Sequence, residues 1–205
     1  MARPALFTPE EILDAAERVF IRQGYGETSL RQLMAAAEVS TTAFYARFDS
    51  KEAVLVALVD RLLGTLFRAE ADALSRVRSM EEGIERGAEV MAETLGPHRR
   101  LVAIALTEAL SSSEVRKTVQ RALGALGKLL GAQLEAAARG RDVTLPDLQS
   151  LSWAFVGALH IQVLRWSVFE EIGKNDLAAA LRGVARTFAP AVAAGRPNKA
   201  KGARK

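Results

Sequence analysis

Between residues 40 and 51 the chain gathers Ser40, Thr41, Thr42, Tyr45, Arg47 and Lys51. Short hydroxyls, a phenol and two cations can donate and accept hydrogen bonds and neutralise anions. None of them has the neighbouring base that would make it a nucleophile. Side chains of this kind suit the base edges and phosphates of a nucleic acid. Bond-making chemistry finds little elsewhere: His98 and His160 are the only histidines, there is no cysteine, and no His–Glu pair has metal-ligand spacing on one helix. No glycine-rich phosphate loop follows a strand. The sequence therefore predicts a protein that is not an enzyme and needs no cofactor or metal.

Positioning these side chains requires two short helices joined by a tight turn. Ser29-Leu30-Arg31-Gln32 has the spacing of a capping box and opens a helix through about Ala37. Ser40 caps a very short second helix in which Phe44 and Phe48 lie one turn apart. At about 100° per residue, Phe44 and Phe48 turned toward a core leave Thr42 and Ala46 outward, with Ala43 and Tyr45 on the flanks. Thr41 and Thr42 then stand at the end nearest a major groove. Lys51 begins the following helix, against the preference of a helix start for negative charge, and a DNA phosphate is one candidate for what holds it there.

The run Gly24-Tyr25-Gly26-Glu27-Thr28-Ser29-Leu30, the pair Val39-Ser40, and Phe44-Tyr45-Ala46-Arg47-Phe48-Asp49-Ser50-Lys51-Glu52 together resemble the amino-terminal signature of the TetR family. The likeness covers about the first quarter of the chain, and past Leu58 it is architectural only. It implies an all-α protein, a three-helix helix-turn-helix domain followed by a larger helical bundle, about nine helices in all. It further implies a ligand-responsive homodimeric repressor that binds a palindromic operator in double-stranded DNA, with a small-molecule effector of unspecified identity. By position, Thr28 matches a phosphate contact, Ser40, Thr41, Thr42 and Tyr45 match recognition-helix contacts, and Arg47 and Lys51 match basic phosphate contacts. Two positions depart from the pattern. Glu38 stands where a turn glycine is common, a strained choice if φ is positive, and Ala43 replaces a common polar residue.

The remaining sequence divides into helical segments. Thr8-Pro9-Glu10-Glu11 starts helix 1, whose stripe is Ile12, Ala16, Val19 and Phe20 and whose stop is Gly24. Ser50 caps a long helix with Val54, Leu55, Leu58, Leu62 and Leu66 on one side. Ser79-Met80-Glu81-Glu82 opens another, and Gly96-Pro97 breaks the chain before an apolar segment from Leu101 to Leu110. Ser113 to Ala138 reads as one long helix stopped at Gly140, and Gly124, Gly127 and Gly131 on it predict a tightly crossing neighbour. Thr144-Leu145-Pro146-Asp147 starts a helix that Gly173 ends, and a final helix carries Leu177, Leu181, Val184 and Phe188 to Pro190 and beyond. The expected domains are 1–52 for DNA binding, 53–193 for sensing and dimerisation, and 194–205 as a basic disordered tail.

Net charge is a poor guide here. The tail's five cations, Arg196, Lys199, Lys201, Arg204 and Lys205, exceed the whole chain's net charge of +4, so the body is slightly acidic. The first 60 residues hold six basic and nine acidic side chains, so DNA affinity requires locally sorted charge and two copies acting together. The tail either adds nonspecific attraction or merely solvates. A start without a signal-peptide core, and no apolar stretch near the roughly 20 residues a membrane span needs, predict a cytoplasmic protein with no membrane partner.

Leu151 to Phe169 is apolar around nearly its whole circumference. Such a helix is either buried within one subunit or, with the small residues Ala178, Ala179, Ala180 and Ala185 of the last helix, forms a homodimer interface through the last two helices. Phe67, Met91, His98, Leu106, Trp153, His160 and Trp166 are candidates to line an effector pocket, each equally readable as core. A different class of function also fits: a ligand-binding or scaffold protein that kept the fold and lost the operator, for which Glu38 and the acidic amino-terminal balance are the motives.

Overall fold

The structure is a computed structural model that describes residues 8–77, 79–140, 143–144, 148–173, 175–193 and 196–197. Among these the chain is all-helical: α1 (Pro9–Gln23), α2 (Leu30–Ala36), α3 (Thr41–Tyr45), α4 (Lys51–Leu74), α5 (Met80–Leu95), a 3₁₀ turn (Gly96–His98), α6 (Arg99–Glu108), α7 (Ser113–Gly140), α8 (Leu148–Ser167) and α9 (Leu177–Ala193). The one extended pairing is antiparallel and two residues long, Val143 opposite Pro197 and Thr144 opposite Arg196. The rest of the expected tail lies outside the described residues.

Helix starts follow the capping chemistry of the sequence. Thr8 and Ser29 each close a reciprocal capping box, with Glu11 and Gln32 respectively. Ser40, Ser50 and Ser79 accept from the backbone N–H groups of Ala43, Ala53 and Glu82. Each such cap stabilises its helix by about 1 kcal/mol. Gly24 ends α1 at φ 90, a conformation open to glycine and little else.

The chain forms two compact units. The first takes residues 1–64 and 98–119, the second 65–97 and 120–205, so α4 and α7 each run through a division and a cut after residue 52 falls inside α4. In the first unit the stripe of α1 buries Ile12, Ala16, Val19 and Phe20 among Leu33, Phe44, Leu55 and Leu58. Burial of each large apolar side chain contributes about 1.5–3 kcal/mol. α6 belongs to this unit: Arg100 donates to Ile21 O at 2.7 Å, and His98 Nδ1 lies 2.5 Å from Glu17 Oε1. Glu17 and Asp14 also hold Arg61 of α4, at 2.9 and 2.6 Å.

In the second unit α5 packs chiefly on α9, and α9 on α8. Ile84, Leu159, Trp166, Leu177 and Leu181 are buried there, and Phe155 meets Phe188 edge to face at 5.0 Å. Arg186 to Glu85 at 3.0 Å and Arg182 to Glu89 at 3.5 Å flank the α5–α9 contact. No helix among the described residues is long and apolar enough to cross a membrane.

Two expectations are corrected. α8 ends at Ser167, six residues before Gly173, because the amides of Val168 and Phe169 both return to Leu164 O and Glu170 turns to φ 56. Its expected start at Thr144 lies in the short paired segment, and 145–147 are outside the described residues. Among the described residues no tight crossing is seen at the α7 glycines: a Cβ on Gly124 or Gly127 would meet none of their atoms within 4 Å, and of the three only Gly131 has such a neighbour, Ser152 Oγ at 3.4 Å. Gly124→Ala and Gly127→Ala should therefore each stabilise the protein by about 0.5–1 kcal/mol in urea denaturation, whereas a tight crossing would make both destabilising.

Candidate nucleic-acid interface and ligand cavity

The first unit builds its interface around a turn. After α2, the amides of Glu38 and Val39 donate back to Ala35 O and Met34 O at 3.2 and 3.1 Å, the hydrogen-bond pattern of a Schellman stop. That stop needs a left-handed residue, and Glu38 supplies it at φ 56. The turn geometry expected of a glycine is thus present, held against a side-chain penalty. α3 then begins at once, with Ser40 Oγ capping Ala43 N at 3.2 Å.

Phe44 is 0% exposed and packs against Phe48, also buried, with ring centroids 5.9 Å apart. This anchor turns the opposite face outward. Ser40, Thr41, Thr42, Ala46 and Arg47 are exposed, and Tyr45 is 48% exposed with its ring edge-on to Phe44 at 5.9 Å. Among the described residues no side-chain hydrogen bond or ion pair engages Arg47. Five of the seven residues expected to read or hold DNA thus share one exposed stretch.

The other two are engaged within the first unit. Thr28 is 3% exposed, and its hydroxyl donates to Gly24 O at 2.7 Å and accepts from Gln23 Nε2 at 3.1 Å. Those two hydrogen bonds shape the α1–α2 loop. Lys51 Nζ donates to Tyr25 O at 2.7 Å and Gly26 O at 3.3 Å, and sits 4.3 Å from the centre of the Tyr25 ring. Loop carbonyls and an aromatic face thus hold a cation at this helix start. Tyr25, edge-on to Phe20 at 5.2 Å, has its phenol pushed up to about 12, first by burial and then by the charges of Glu108 and Glu52.

The second unit contains a cavity of about 50 Å³ lined by Leu74, Ile84, Gly87, Met91, Leu126, Leu130, Phe155, Leu159 and one acid, Glu70. Of the seven pocket candidates only Met91 lies on it. His98 and Leu106 fall in the first unit, Trp153 is 49% exposed, Phe67 and His160 are half-buried, and Trp166 is fully buried. Burial lowers the His160 pKa. Sequence reasoning missed Glu70, although a signal existed: it continues the spacing of Leu58, Leu62 and Leu66, placing an acid on an otherwise apolar stripe. Tyr25 was missed as the seat of Lys51 because its partner lies 26 residues away. Among the described residues no group of three or more His, Asp or Glu could hold a metal.

Residues 12–58 match the family model described as bacterial regulatory proteins, tetR family. The HTH-type transcriptional regulator EthR of Mycolicibacterium smegmatis is 34% identical over 146 residues, 67% of this chain and 65% of that protein. The chain belongs to the TetR family. Its fold agrees with solved members: the TetR-family regulator PfmR of Thermus thermophilus superposes with a TM-score of 0.68 at 25% identity, over 86% of this chain and 96% of PfmR. FadR of Bacillus subtilis, solved in complex with stearoyl-CoA, superposes with a TM-score of 0.76 at 18% identity, over 88% of this chain and 97% of FadR. The aligned part of this family member spans just under two thirds of EthR's length.

The turn and the cavity each lead to a measurable outcome. Replacing Glu38 with glycine removes the left-handed penalty, offset in part by the greater freedom of glycine when unfolded, and should raise stability by about 1 kcal/mol in chemical denaturation. Burial pushes the Glu70 carboxyl up to about 7 from 4.5, with the Arg86 charge pulling the other way. Between those values the folded chain holds a proton that the unfolded chain releases, so stability is highest below 4.5 and falls as pH rises through 7. Urea denaturation at pH 5 and pH 8 should record a loss on the order of 2–3 kcal/mol that Glu70→Gln abolishes.

Proposed function

We propose that this TetR-family chain is a DNA-binding transcriptional repressor that acts in the cytoplasm as a homodimer on a palindromic operator. A small molecule bound in its second unit changes operator affinity. The observation that carries the reading is the division of α3 into a buried face, Phe44, and an exposed face rich in hydrogen-bonding groups, Thr41, Thr42 and Tyr45. That face, followed by exposed Arg47, has the size and chemistry for a major groove and its bordering phosphates. Ser40, Thr41, Thr42 and Tyr45 are the proposed readers, Arg47 the proposed phosphate contact, and Lys51 and Thr28 support the loop behind them.

Dimerisation through α8 and α9 is favoured by their outer surface. Ala154, Gly157 and Ile161 of α8 and Ala179 and Gly183 of α9 are all exposed, small or apolar, and suited to close approach by the same helices of a second copy. FadR of Bacillus subtilis supports a ligand-holding fold at 18% identity, but its acyl-CoA is not carried over to this chain. The scaffold reading loses one motive, since Glu38 adopts the left-handed turn that an operator-binding hairpin needs.

Footprinting the purified protein on fragments flanking its own gene should protect an inverted repeat. Tyr45→Ala should weaken binding by about 10-fold or more while the protein still unfolds cooperatively in thermal denaturation. Arg47→Ala should lower the slope of log affinity against log salt by about 1. Lys51→Met should reduce both affinity and stability, the latter by about 1–3 kcal/mol. Protection of no inverted repeat at low salt would overturn the reading.

A further inference from the structure

Glu70 is the one charged side chain buried among the described residues, at 4% exposure. A carboxylate held away from water costs several kcal/mol unless something compensates it. Here the compensation is thin. No hydrogen bond reaches it among the described residues, and the Arg86 guanidinium that lies within electrostatic range is already bonded to Glu89 at 3.0 Å and paired with Glu93 at 3.4 Å. The remaining walls of the cavity are apolar side chains and glycine. Room for the carboxylate is kept by Gly87, where a Cβ would stand 3.1 Å from Glu70 Oε2.

An acid on the apolar stripe of α4 does nothing for packing that leucine would not do better, so its use must lie in what enters the cavity. An anion is repelled. A metal ion finds one carboxylate and no further oxygen ligands, far short of a coordination shell. A protonated amine needs only this: one carboxylate for its N–H groups and an apolar wall for its carbon chain.

Resting on the ligand-responsive reading above, we propose that the Glu70 cavity is the head-group subsite of the effector site and takes a primary ammonium carried on an apolar body. A volume of about 50 Å³ admits the ammonium and its first methylenes. The rest of the body then enters by displacing Leu126 and Leu129 of α7. That helix is softened locally by Gly124, Gly127 and Gly131.

Isothermal titration of the full chain with n-heptylamine, 1-heptanol and heptanoate tests this directly. The amine should bind about 10-fold or more tightly than the alcohol, and heptanoate more weakly than either. Glu70→Gln, checked for folding by circular dichroism, should remove that preference and leave heptanol affinity within about twofold. Equal binding of the three, preference for heptanoate, no binding at all, or an unchanged preference in Glu70→Gln overturns the proposal. Footprinting of the same preparation separates it from the reading it rests on. Amine preference without operator protection sinks the regulator and leaves the subsite, while protection without amine preference does the reverse.

Discussion

The interface depends on the insertion of Phe44 into the core of the first unit. A five-residue helix closes too few hydrogen bonds to be stable by itself. What fixes α3 is a full aromatic side chain in the core, its neighbour Phe48 one turn on, and a hydroxyl cap at Ser40. The orientation of the exposed residues is a geometric result of that burial, since residues two away on a helix are turned by about 200°. The turn before α3 is set just as firmly, by two backbone hydrogen bonds that require a left-handed residue and accept a glutamate in that state.

Charge is arranged locally in the same unit. Acids outnumber bases over the first 60 residues, yet Asp14 and Glu17 are paired with Arg61 and Glu17 also with His98. Lys51 is folded back on the α1–α2 loop, while Arg47, two residues past α3, is exposed. Global charge and local field therefore point in different directions, and only the second bears on DNA.

Most of the helical order was legible in the sequence because capping residues, proline and spaced apolar positions act over four residues or fewer. Thr8, Ser29, Ser40 and Ser50 mark their helix starts for this reason, and the Phe44–Phe48 spacing gave the orientation of α3. What was illegible depends on distant partners. Thr28 and Lys51 look like surface contacts until Gly24, Tyr25 and Gly26 are brought against them. The α7 glycines look like a crossing until the space beside Gly124 and Gly127 is found open. Family likeness covers the helix-turn-helix and stops near Leu58; past it residue type is the guide to a pocket, and residue type alone does not distinguish a cavity wall from core.

The separation of faces on α3 bears on how such a protein changes over generations. Substitutions at Thr41, Thr42 or Ala46 remove no side-chain contact that holds the helix in place, and changes at exposed sites of this kind usually alter stability by less than about 0.5 kcal/mol. Mutation can therefore vary the exposed chemistry of α3 there while the scaffold stays intact. Phe44 has no such freedom, because truncating it would loosen the whole exposed face at once.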